Sequence, residues 1–218
     1  MRAKDILEHF LSQAPWVDRK RTVDRIIVGD GEKDVKRVLV TWMSTLPAVR
    51  YAAEHGFDMV MTHEPTFWLH ENEAETLDSG AVCGPKLISS TAKRRLIEGS
   101  GLVVLRNHDV WDRFPAVGIP YALGRHLGVE GQPAATGNGG YQLAFDIEPE
   151  ATMGLARRFA ARTEPLGDPV LQLFGDGNAM VARLGIGTGC CCAPEVFLEM
   201  GCDGAVVCDD GAWYWKDV

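Results

Sequence analysis

Short apolar runs, each bounded by glycine and proline, constrain this chain most. In G-F-D-M-V-M-T-H-E-P, Gly56 to Pro65, the run Phe57–Met61 is apolar apart from Asp58. A run this short and without polar alternation reads as a strand buried on both faces, as in a parallel sheet. Leu102–Leu105 repeats the pattern after a helical stretch. Strands that alternate with helices define an α/β fold. In open α/β sheets, ligands bind at the carboxyl ends of the strands. Thr62-His63-Glu64-Pro65 stands at one such end.

The remaining elements follow in order. The spacing predicts helices over Lys4–Ala14, Pro47–His55, Pro85–Glu98, Ile119–Leu127, Pro149–Arg162 and Pro194–Met200. It predicts further strands at Val23–Val28, Val38–Trp42, Tyr141–Ile147, Val170–Phe174, Met180–Ile186 and Ala205–Cys208. Trp68–Gly84 is polar and aperiodic and reads as a loop or lid. Gly131–Gly140, rich in Gly, Pro, Ala and Asn, is the best boundary, giving halves at 1–134 and 135–218. A weak repeat relates them. Glu54-His55-Gly56-Phe57-Asp58 and Glu199-Met200-Gly201-Cys202-Asp203 each lead from a short helix into a strand. The expected fold is therefore two related α/β halves, with Glu64 and Asp209 at matched strand ends.

Composition narrows the function classes. A formal net charge of −8 over 218 residues argues against a protein held on nucleic acid by bulk electrostatics. The charged, amphipathic start M-R-A-K-D-I-L-E-H-F-L is not a signal peptide, and no apolar run approaches membrane-spanning length. The six cysteines read as thiols of a reducing cytoplasm.

Three constellations carry chemistry. His63 and Glu64 end one buried strand; His108 and Asp112 follow another. Four N/O ligands in one crevice suit Zn, Mn, Fe, Co or Ni better than Ca or Mg. His108 and Asp112 share a face only if their segment turns helically. The alternative is that the histidines are hydrogen-bonded strand-end residues and the acids are solvated. Gly185-Ile186-Gly187-Thr188-Gly189 lies between a strand and a helix, but its G-x-G-x-G spacing favours a tight turn over a dinucleotide site. Cys190-Cys191-Cys192 reads as small buried side chains rather than a metal site.

V-M-T-H-E-P-T-F-W, N-H-D-V-W-D, T-V-D-R-I-I-V-G-D, G-I-G-T-G-C-C-C and M-G-C-D-G-A-V-V-C-D-D-G together resemble the Nif-three-like dinuclear metal-centre family, the GTP cyclohydrolase I type 2 homologues. The resemblance spans most of the chain in the right order. It implies two intertwined α/β halves with mixed sheets and a metal crevice between them. It also implies two divalent ions per subunit, a toroidal homohexamer, and hydrolysis of a nucleotide-like small molecule or, alternatively, a non-catalytic metal-binding scaffold. The metal positions that carry over are His63, Glu64, His108 and Asp112. Many members have histidine where this chain has Glu64. The family closes its site with a late histidine and glutamate beyond the helix expected from Trp213, so relative to it the second half is expected to be cut short.

Overall fold

The computed structural model describes residues 1–67, 84–187, 189 and 192–207. Asp209, Cys190, Cys191 and all but the last residue of the Trp68–Gly84 loop lie outside them. The described residues divide into two compact units, Met1–Trp111 and those from Asp112 on. The architecture is mixed α/β, with a four-stranded sheet in each unit.

The first unit runs α1 (Ala3–Ser12), β1 (Arg25–Val28), β2 (Val38–Thr41), α2 (Leu46–Glu54), β3 (Met59–Thr62), α3 (Gly84–Ser100) and β4 (Val103–Arg106). A short helix, α4 (Asp109–Asp112), follows. Sheet order is β1-β4-β3-β2, with β2, β3 and β4 parallel and β1 antiparallel to β4. Helical crossovers make β2, β3 and β4 parallel. Successive strand side chains face opposite layers. Val60 and Val104 pack with Val49, Ala52 and Ile97 of α2 and α3. Met59, Val103 and Leu105 pack with Ala3, Ile6 and Leu7 of α1. Cover on both faces is why these strands read as unbroken apolar runs. Thr45 caps α2, accepting a hydrogen bond from Ala48 N–H at 3.3 Å, and Gly56 ends the helix at φ +67°.

The second unit contains α5 (Ile119–His126), β5 (Ala135–Gly137), β6 (Gln142–Ala151), α6 (Thr152–Thr163), β7 (Met180–Gly187), α7 (Pro194–Glu199) and β8 (Gly204–Val206). Its sheet order is β5-β6-β7-β8, with β7 and β8 parallel. Its core joins Leu143, Phe145, Leu184 and Ile186 to Leu155 and Phe159 of α6. The second sheet starts at Ala135 and the compact unit at Asp112, because α5 packs on β6 and β7.

Two local expectations are corrected. Glu148–Ala151 extends β6 instead of opening the next helix. Pro149 lies where the β6–β7 register shifts between Asp146 and Glu150, so its missing N–H costs the ladder nothing. Val170–Phe174 forms no strand, since the neighbours of β7 are β6 and β8. No helix among the described residues is long and apolar enough to cross a membrane.

The weak repeat is a duplication at the level of single hydrogen bonds. In the first half, Ala3 and Lys4 N–H donate to Lys33 and Gly31 C=O at 3.0 and 2.9 Å. In the second half, Thr152 and Met153 N–H donate to Ala179 and Gly177 C=O at 2.9 and 2.8 Å. The turns match: Gly29 has φ +104° and Gly175 +109°, and Asp30 and Asp176 each accept from the N–H two residues on. The clamps match too. Asp58 Oδ2 accepts from Lys36 and Arg37 N–H at 2.9 and 3.0 Å. Asp203 Oδ2 accepts from Ala182 and Arg183 N–H at 2.9 and 2.8 Å.

The bond from Lys36 N–H, the largest influence, holds the Asp58 carboxyl below the ordinary aspartate value of 3.8; Arg183 N–H does the same for Asp203. A depressed folded-state pKa gives stability that is complete above 3.8 and lost as pH falls through the lower, folded value. Asp58→Asn with Asp203→Asn should therefore flatten the loss of stability below pH 3.8. Urea midpoints measured between about pH 5 and about pH 2.5 check this.

Candidate metal centre

The site grows from three parallel strand ends. β2 and β3 pair through Thr41 and Thr62, and β3 and β4 through Thr62 and Arg106. Beyond the ladder, Trp42 C=O accepts from the N–H of both His63 and Glu64, at 3.1 and 3.0 Å. One carbonyl thus bends the chain at the strand end. Arg106, fully buried, donates Nε–H to His63 C=O at 2.9 Å. The Trp42 ring stacks on His63 with centroids 4.0 Å apart. The His63 side chain is fixed from behind and from one face.

The second arm leaves β4. Asn107 N–H donates to Thr62 C=O at 2.9 Å, continuing the parallel pairing. The chain then turns into α4. Asp24, just before β1, accepts the N–H groups of His108, Asp109 and Val110 on its two carboxylate oxygens. This cap makes the segment helical, so Asp112 comes back over His108, as their spacing required. The His63 and His108 rings lie 4.4 Å apart.

One donor atom each from His63, His108 and Asp112 lie within 4.8 Å of one another. Two ligands of a zinc-sized ion, each bonded at about 2 Å, span at most about 4 Å, so small rotamer shifts close the set. His63 and Asp112 are buried and His108 is half-buried. Two imidazoles and a carboxylate suit a borderline divalent cation. Glu64 is outside the triad: its Oε1 lies 3.3 Å from His63 Nδ1. His108 Nδ1 lies 2.9 Å from Asp109 Oδ1, and Asp109 Oδ2 accepts from Thr22 Oγ1 at 2.8 Å. With Nδ1 protonated, each imidazole donates to a carboxylate, the kind of bond that orients metal-bound histidines.

Burial raises the Glu64 carboxyl, but the hydrogen bond and charge of His63, with His108 and Arg106, outweigh it and hold the group below the usual glutamate range. Burial opposes ionisation of Asp109 as well; His108 and Thr22 overcome it and hold it far below. Asp24 is pushed up, because burial exceeds the effect of its three N–H donors.

Asp24, Asp109, Trp42 and Arg106 were missed as supports. Asp109 stands beside His108 in N-H-D-V-W-D, so adjacency to a candidate ligand is the signal for it; Asp24, in T-V-D-R-I-I-V, is near no candidate ligand in the sequence.

A two-histidine, one-carboxylate cluster at the carboxyl edge of an α/β sheet defines a class of candidate metal proteins. The Duf34/NIF3 (NGG1p interacting factor 3) family model matches residues 1–205, and the chain belongs to that family. Among solved structures, the fold is similar to Staphylococcus aureus protein SA1388, with 16% identity, coverage of 99% of this chain and 82% of that one, and a TM-score of 0.66. It is similar to protein ybgI, described as of unknown function, at 16% identity, 99% and 82% coverage, and a TM-score of 0.69. It is also similar to reduced HcgD from Methanocaldococcus jannaschii, at 16% identity, 100% and 82% coverage, and a TM-score of 0.65. At such identity the likeness shows the fold alone. No curated protein matches the chain.

Asp24→Ala should leave the three N–H groups opening α4 without their acceptor and destabilise the protein by about 2–3 kcal/mol, with Asp24→Asn milder. Urea denaturation measures the loss.

Proposed function

We propose that the chain is a divalent-metal-dependent hydrolase acting on a small, flat, nucleotide-like substrate, with the opening of a purine-type ring, as in GTP cyclohydrolase chemistry, as its reaction class. The convergence of His63, His108 and Asp112 carries this reading. A divalent ion held there would supply Lewis acidity and acidify a water. The chain's own groups do the rest. In the tautomer with its proton on Nδ1, His63 would donate to Glu64 and His108 to Asp109, leaving each Nε2 lone pair for a cation. The resemblance implies a second ion, and Glu64 and Asp109 are carboxylates in contact with the triad's histidines.

Beside the triad lies a cavity of about 230 Å³, lined by Val40, Trp42, Met61, His63, Asn107 and Trp111 among others. That is below the usual range of about 300–1,000 Å³ for ligand pockets, and closer to a base than to a whole nucleotide. The free thiol of Cys202 is in keeping with a cytoplasmic setting.

The second reading is a non-catalytic metal-binding scaffold. The exposure of Val40, Trp42 and Trp111 around the site favours it, since grouped apolar surface marks contact sites. Both readings include a homo-oligomer, and the resemblance makes it a hexamer. Sedimentation at micromolar concentration should show that assembly; monomer alone would remove it.

His63→Ala and Asp112→Ala should each weaken binding of Zn or Mn by more than the roughly 10–100-fold expected for a supporting residue, while Glu64→Ala stays within that range. Calorimetric titration checks the order; equal loss from all three would make Glu64 a full ligand. Turnover of GTP or another nucleotide by the metal-loaded protein, abolished in Asp112→Ala, supports the hydrolase. Metal binding without turnover of any nucleotide supports the scaffold.

A further inference from the structure

Two helices of the second unit, α5 and α6, stand out by charge. The chain has a formal net charge of −8, yet these helices carry Arg125, Arg157, Arg158 and Arg162 and no acid. Arg158 is paired with Glu150, Nη2 to Oε2 at 3.0 Å. Among the described residues, Arg125 and Arg162 make no ion pair. Arg125 donates Nη1–H to Ala116 C=O, and Arg162 donates Nη1–H to His126 C=O at 3.4 Å. A guanidinium has five N–H donors in a fixed fork, so most of each fork is left for another acceptor.

Both arginines line one cavity of about 430 Å³, built from residues of the second unit. That lies inside the usual range of about 300–1,000 Å³ for small-molecule sites. Phe145 of β6, buried, gives the cavity an aromatic wall. Tyr121, also in the lining, stands four residues before Arg125 and so on the same face of α5. The main chain is shaped to bring the charges in. Ala116, another lining residue, has φ +65°, a left-handed conformation that is uncommon for alanine. Its carbonyl is the one that Arg125 holds. Gly128, at φ +76°, lets the Arg162 guanidinium lie against the backbone, since a Cβ there would come within 2.8 Å of Cζ and Nη2. Glu130 is the one acid among the described lining residues, and it bonds to neither arginine.

We propose that this cavity binds a small organic phosphate monoester, its phosphate held by Arg125 and Arg162 and its apolar ring set against Phe145 and Tyr121. Charge decides the class. One guanidinium fork satisfies a carboxylate, which carries a single charge. A phosphate monoester carries about −1.5 to −2 charge at neutral pH and offers three strong acceptor oxygens, enough for two forks. Two guanidinium groups in one cavity repel each other, and a dianion between them removes that repulsion. The aromatic wall buries the body of an ester, a contribution that inorganic phosphate cannot make. The site shares no residue with the triad of His63, His108 and Asp112.

Calorimetric titration of the 218-residue chain with phenyl phosphate tests this, with inorganic phosphate and benzoate as comparisons. Phenyl phosphate should bind at least about 10-fold more tightly than either. Arg125→Ala and Arg162→Ala should each weaken it about 10-fold or more. Arg162→Lys, which keeps the charge and loses the fork, should weaken it as well. Arg157→Ala removes a charge from the same helix but outside the lining residues, and should change affinity less than about 3-fold. A chelator should leave binding unchanged, which separates this cavity from the metal centre. The proposal is overturned if phenyl phosphate does not bind at millimolar concentration, if benzoate binds as tightly, if Arg125→Ala and Arg162→Lys bind it unchanged, or if the chelator abolishes binding.

Discussion

The parallel pairing of β3 with β4 is the interaction on which the site depends. Thr62 stands opposite Arg106, and the next backbone bond, Asn107 N–H to Thr62 C=O, carries the register past the strand ends. Neighbouring strands lie about 4.8 Å apart, so side chains that leave their ends together emerge within reach of one ion. His63 and His108 do so. A slip of one residue would turn each side chain to the other face. The continuous apolar strands on either side of this register, buried against α1 on one face and α2 and α3 on the other, make such a slip costly. Arg106 adds a second lock by donating to the carbonyl of His63 itself. Asp24 then sets the direction of the outgoing chain through three backbone N–H groups, and with it the place of Asp112.

Much of this was legible in the sequence, for reasons that can be named. Short apolar runs between glycines reveal strands covered on both faces, and the strand-end positions of His63 and His108 follow from where those runs stop. The spacing of His108 and Asp112 posed a condition, a helical turn, that the sequence alone does not satisfy. Asp24 satisfies it, from far back in the chain. Residues of that kind are hard to read because their partners are backbone groups, which leave no mark on composition. Glu64 shows the complementary case. It is an apt ligand by type, but the paired N–H bonds to Trp42 C=O shape the strand end, and its carboxylate meets the neighbouring imidazole.

Val170–Phe174 is instructive in a different way. Its residues have strand propensity, and its place in the duplication is that of β1, yet it forms no ladder. Propensity describes how well a residue suits a pleated, half-buried surface, and among the described residues no strand pairs with this segment to make one. The repeat itself was faint in the sequence because it is conserved in backbone hydrogen bonding more than in side chains. Only glycines forced to positive φ and aspartates that accept from main-chain N–H groups recur, since those positions tolerate few substitutes.

His63, His108 and Asp112 are proposed to hold one divalent ion. X-ray absorption at the metal edge of the protein loaded with one equivalent of zinc tests it most directly. The predicted spectrum has a first shell of nitrogen and oxygen at about 2.0–2.2 Å, with the outer-shell scattering of two imidazoles. A spectrum without imidazole scattering, or one dominated by sulfur at about 2.3 Å, would place the ion elsewhere and contradict the account.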